Sequence, residues 1–131
     1  WSVCDSFVTS LKFVKKDRGR AWEFIQPYFE SDRTYDIRFA AVMSLAYFKD
    51  GEYAPRVFEK FDRIENDDYY VKMAVAWAVS VFFVNAREET RRYLENNRLD
   101  DFTFNKSLQK ITESYRVTPQ DKAEIRAMKR K

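Results

Sequence analysis

The sequence predicts an all-α chain folded as an α-solenoid, a superhelix of HEAT-like antiparallel helix pairs with about eight helices. Three observations predict it. Apolar residues recur at helical spacing almost from end to end. Only 2 Gly and 3 Pro occur in 131 residues, too few for the tight turns of an all-β domain. The helical pattern also repeats: Ile37-Arg38-Phe39-Ala40 aligns with Val71-Lys72-Met73-Ala74 at a shift of 34 residues. The length and the 45% hydrophobic content suit a single domain spanning 1–131.

The spacing predicts helices near 2–16, 20–30, 35–48, 53–64, 68–84, 87–96, 102–115 and 119–129. Pro27 predicts a kink or an early end in the second of these. Asp50-Gly51 reads as a helix stop and turn. Asn85 with Glu88 three residues later reads as a capping box. Thr118-Pro119 followed by Asp121 supplies a cap, a first-turn proline and an acid at the positive end of the helix dipole.

The repeat is carried by an apolar ladder: Val3, Ile37, Val71; Phe7, Ala41, Val75; Leu11, Leu45, Val79; Val14, Phe48, Phe82. Each helix pair of such an array buries its face on the next. The segment 68–84 is apolar on nearly all sides, so it should be covered from both flanks. Trp22, Tyr28, Phe58 and Phe61 read as inter-helix packing, and the last helix as a cap with a polar outer face. The chain opens without Met and inside a helical pattern, which reads as a piece lacking N-terminal repeats.

Composition narrows the chemistry. No His is present, so nucleophile systems that need it and His-ligated metal sites cannot be built. The single Cys4, read as a small buried filler, excludes a disulfide framework within the chain and a cysteine-cluster metal site. No metal and no cofactor is expected. The most apolar stretch, Met73 to Val84, falls short of the ~20 residues that span a bilayer, so no membrane partner is expected. The net charge of +3 is uneven: residues 101–131 hold 8 basic and 4 acidic side chains. That excess ends in Lys129-Arg130-Lys131 and is either solvated surface or a contact for a polyanion.

A basic residue recurs every 34 positions at Arg38, Lys72 and Lys106. With Arg38 at zero and roughly 100° per residue, Trp1, Asp5 and Trp77 project to about 60°, 100° and 140°, away from the ladder. Two indoles, a carboxylate and a row of cations would thus share one flank of successive helices. The plainer alternatives are a solvated Asp5, a core Trp77, and cations acting as struts to Asp36, Asp68 or Asp101.

Trp1-Ser2-Val3-Cys4-Asp5, Asp36-Ile37-Arg38 and Asp68-Tyr69-Tyr70-Val71-Lys72-Met73-Ala74-Val75-Ala76-Trp77-Ala78 together resemble the AlkD-like DNA alkylation-repair family of HEAT-like-repeat glycosylases. The resemblance continues through Leu99-Asp100-Asp101-Phe102-Thr103 and Ser114-Tyr115-Arg116-Val117 and covers the C-terminal part of a family member. It implies hydrolysis of the glycosidic bond to N3- or N7-alkylated purines in duplex DNA. It places the catalytic carboxylate on Asp5, the aromatic walls on Trp1 and Trp77, and the phosphate grip on Arg38. Lys72 and Lys106 would extend the DNA-backbone row. Such a protein would be a cytoplasmic monomer, on the nucleoid when bound to DNA. The alternative is a non-catalytic HEAT-like scaffold that binds DNA or protein.

Overall fold

The computed structural model describes residues 18–130. Among them the chain forms seven α-helices and no strand. These are α1 (Arg18–Phe29), α2 (Thr34–Tyr47), α3 (Ala54–Asp62), α4 (Tyr69–Asn85), α5 (Arg87–Glu95), α6 (Asp101–Glu113) and α7 (Pro119–Ala127). Each matches an expected segment within two residues at either end. The expected first helix, 2–16, lies outside the described residues, and Cys4 lies there with it.

Local chemistry sets most of the boundaries. Asp68 caps α4 by accepting from the Tyr70 amide at 2.8 Å, and Asp100 caps α6 by accepting from the Thr103 amide at 3.2 Å. Thr118 caps α7 as expected: its Oγ1 accepts from the Asp121 amide at 3.1 Å, with Pro119 in the first turn. Helix α1 stops at Phe29, two residues beyond Pro27. The capping box expected at Asn85 does not form. Helix α4 runs through Asn85, whose side-chain amide donates to the Val81 carbonyl at 2.9 Å, and Ala86 becomes the N-cap of α5. An apolar helix already packed on its neighbours extends to its last residue, which leaves Asn85 no freedom to turn toward α5.

The connections are short, and the packing follows the repeat. Helix α2 packs on α1 and on α4; α4 packs on α2, α5 and α6; α6 packs on α4 and α7; α3 packs on α5. Helices α2, α4 and α6 therefore lie side by side, with α4 covered from both flanks as its composition demands. Ladder residues Ile37, Ala41, Phe48, Val71, Val75, Val79 and Phe82 are buried, and Leu45 is half-buried against them. Removing a side chain such as Phe82 from water contributes about 1.5–3 kcal/mol. The first ladder copy, Val3, Phe7, Leu11 and Val14, lies outside the described residues. In α7 only Ile125 is buried, so its outward face is polar.

Aromatic contacts fill the space between helices. Trp22 meets Phe48 at 5.4 Å and Tyr53 at 5.5 Å, and Tyr28 meets Phe39 at 4.9 Å. Phe58 stacks on Tyr93 with centroids 4.2 Å apart and planes 2° from parallel. The Tyr93 hydroxyl then donates to Asp62 at 2.8 Å, and Asp62 also accepts from the Arg98 amide at 3.0 Å. Burial, with the Asp62 charge beside it, pushes the Tyr93 phenol well above its ordinary range. Polar links repeat at a similar span: Asn66 donates to the Asp32 carbonyl, and Arg87 grips Asp121 through two bonds of 2.9 and 2.6 Å. No helix among the described residues is long and apolar enough to cross a membrane.

Candidate nucleic-acid interface

The 34-residue recurrence of Arg38, Lys72 and Lys106 places one cation near the start of each of α2, α4 and α6. Because these helices are neighbours, the three cations fall along one edge of the layer. Each helix also begins with an exposed aromatic residue: Tyr35 on α2, Tyr69 and Tyr70 on α4, Phe102 on α6. Large apolar rings in contact with water at corresponding places in three repeats are not explained by the core.

Rings and cations interleave. The Arg38 guanidinium lies over the Tyr70 ring, 5.9 Å from its centroid. Tyr70 meets Tyr69 at 5.6 Å, and Tyr69 meets Phe102 at 5.9 Å. Lys72 and Lys106 both sit 5.8 Å from the Phe102 centroid. The result is a continuous belt across three helices in which each cation faces a π-surface. Arg38 and the two lysines thus come together as the repeat implied, and Tyr69, Tyr70 and Phe102 join them. The sequence signal for these rings was present at a spacing of 33 to 34 residues, but an aromatic count cannot separate an exposed ring from a buried one.

The two lysines are held differently. Lys72 lies 2.6 Å from Asp67 and 3.5 Å from Asp100, with its side chain only 20% exposed. Its hydrogen bond to Asp67 raises its pKa above the ordinary lysine value, against the opposing effect of burial. At Asp100, burial pushes the carboxyl up, but bonds from Thr103 and the nearby Lys72 outweigh it and hold the group below the usual carboxylate value. Lys72 is therefore a strut between α4 and the cap of α6, using Asp67 and Asp100 and not Asp68. Lys106 instead donates to the neutral Gln109 at 3.0 Å and keeps its charge uncompensated by any carboxylate among the described residues. Asp36 accepts from Ser31 at 2.8 Å, and Asp101 meets Arg130 at 3.3 Å.

Comparison with protein-family models, with curated proteins and with solved structures finds no match to the chain.

The remaining site residues divide by position. Trp1 and Asp5 lie outside the described residues. Trp77 is half-buried and packs against the core, two helical turns beyond Tyr70 on the same face of α4. It therefore has both a packing role and an accessible part. No group of three or more His, Cys, Asp or Glu side chains suited to a metal ion occurs among the described residues.

Proposed function

We propose that the chain belongs to a DNA glycosylase that hydrolyses the N-glycosidic bond of N3- or N7-alkylated purines in duplex DNA. In this reading the helix pairs form a HEAT-like superhelix and the protein acts as a monomer. The observation that carries the reading is the belt: cations at 34-residue spacing, on adjacent helices, interleaved with exposed aromatic rings. Cations spaced along a helical array suit a phosphate backbone, and rings between them suit sugar and base edges. The resemblance at Trp1, Asp5, Arg38 and Trp77 supplies the chemistry.

That chemistry suits a chain without His. An N-alkylated purine already carries positive charge, so the electron pair of the breaking bond neutralises it and no general acid is needed. Positive charge then develops on the deoxyribose, where the Asp5 carboxylate stabilises it and orients the water that attacks the anomeric carbon and releases its proton to that carboxylate. The indoles of Trp1 and Trp77 hold the cationic base by cation–π attraction. A second reading, a DNA-binding scaffold without catalysis, is favoured by the strut role of Lys72, which any helical array could use.

The deciding experiment is single-turnover release of N7-methylguanine from alkylated duplex by the intact protein and its Asp5→Asn variant. Losing one transition-state electrostatic contact is worth ~3–4 kcal/mol, about a hundred- to thousand-fold in rate. Equal rates, or no release by either protein, make the scaffold the better reading.

A further inference from the structure

A second cationic site lies beyond the belt, where α6 meets the end of α7. A cleft of about 600 Å³ opens there, with Lys106, Arg126 and Lys129 in its wall, Phe102 at one edge, and Gln109 and Thr112 supplying polar groups. Among the described residues no carboxylate lines it. Arg126 and Lys129 are exposed, and neither forms an ion pair among the described residues. Glu113 Oε1 accepts from the Gln109 side-chain amide at 2.8 Å.

The cationic wall is fixed in place by the residue after it. The Arg130 backbone N–H donates to Asn105 Oδ1 at 2.8 Å, and the Asn105 amide donates back to the Arg130 carbonyl at 2.8 Å. The Arg130 guanidinium lies over the Phe104 ring at 4.0 Å and donates to the Leu99 carbonyl at 2.7 Å and to Asn97 at 3.0 Å. These bonds tie the segment after α7 to α6, and Arg126 and Lys129 line the same cleft as Lys106. Elsewhere on the surface, several cations are spent on acids: Arg87 on Asp121, Arg91 on Glu124, Lys72 on Asp67. Three positive charges around a concave space, with no acid among the described residues of its lining, match a tetrahedral oxyanion carrying more than one charge.

We propose that this cleft binds a phosphate group through Lys106, Arg126 and Lys129. The phosphate could come from a nucleic-acid strand leaving the belt at Phe102 and Lys106, or from a small phosphorylated molecule. The first source rests on the reading of the belt given above; the cleft itself does not.

Two measurements on the full chain separate these outcomes, each with wild type and with Arg126→Gln/Lys129→Gln, which removes two charges from exposed positions. Melting temperatures of the two proteins should agree, because neither side chain packs in the core. In the first, inorganic pyrophosphate is titrated at constant ionic strength while backbone amide signals of residues 102–112 and 126–130 are followed by NMR. In the second, the salt dependence of affinity for a 20-base-pair duplex is measured. Two lost phosphate contacts lower the slope of log affinity against log salt by about 1.8. Such a fall, with or without a pyrophosphate response, identifies the nucleic-acid backbone as the source. Saturable pyrophosphate shifts that the double variant abolishes, with an unchanged duplex slope, identify a small phosphorylated ligand. If wild type shows no saturable shift and the slopes agree, the proposal is overturned. Absence of excision by a wild-type protein with a working cleft would count against the glycosylase reading alone, since the cleft does not include Asp5.

Discussion

Lys106 and Lys72 are the same residue type at corresponding places in two repeats, yet the structure sets them different tasks. Lys106 faces Gln109 and the Phe102 ring, whereas Lys72 is held by Asp67 at 2.6 Å and Asp100 at 3.5 Å. If the belt contacts DNA backbone, Lys106→Ala removes one phosphate contact and lowers the salt slope by about 0.9. Between 50 and 200 mM salt that slope corresponds to about a 3.5-fold difference in affinity. Its stability should stay within about 1 kcal/mol of wild type, since one exposed hydrogen bond and one exposed cation–π contact are lost. Removing Lys72 alone would uncover two carboxylates and confuse charge with contact. The cleaner perturbation is Lys72→Met with Asp67→Asn, which deletes the ion pair and leaves the net charge unchanged. A strut so removed should lower the melting temperature while leaving the slope within about 0.3 of wild type. Fluorescence anisotropy of a labelled duplex across a salt series, beside thermal melts, measures both quantities. An equal fall in slope for the two proteins would show that Lys72 leaves its carboxylates for phosphate. No change with Lys106→Ala would remove Lys106 from backbone contact.

Two further outcomes concern the frame. Tyr93→Phe keeps the ring stacked on Phe58 but deletes the hydrogen bond to Asp62, so urea unfolding should show a loss of about 1–2 kcal/mol; a loss under about 0.3 kcal/mol would mean water replaces the hydroxyl at no cost. Asp121 is held below its ordinary carboxylate value, first by the hydrogen bond from Arg87, and Asp100 is depressed as well. Their folded values lie below their unfolded values, so their stabilisation is fully present above about pH 4 and is lost as pH falls through the folded values. Melting temperatures of wild type and Asp121→Asn should therefore differ near neutral pH and converge as pH falls through the folded value; a gap that persists in acid would place the effect in packing and not in charge.

Helical periodicity, the 34-residue ladder and the caps at Asp68, Asp100 and Thr118 were determined by local sequence, because a helix is made of contacts three and four residues apart and its caps act within one turn. For the same reason the burial of Ile37, Val71, Val79 and Phe82 was legible: a side chain on the apolar stripe of a repeated helix has a neighbour at the same phase to bury against. The recurrence of Arg38, Lys72 and Lys106 was legible too, but their roles were not. Which carboxylate reaches a lysine depends on how the loop before α4 and the cap of α6 meet in space, and Asp67 and Asp100 lie on opposite sides of Lys72 in sequence. Only the tertiary structure decided that Lys72 is held by acids while Lys106 is not. It also decided that Tyr69, Tyr70 and Phe102 stand in water, that Asn85 belongs to α4 and leaves the N-cap of α5 to Ala86, and that Arg130 clasps α6 through Asn105. The Lys72–Asp100 pair and the Arg130–Asn105 clasp join residues 28 and 25 apart, and periodicity within one helix carries no information about such distances.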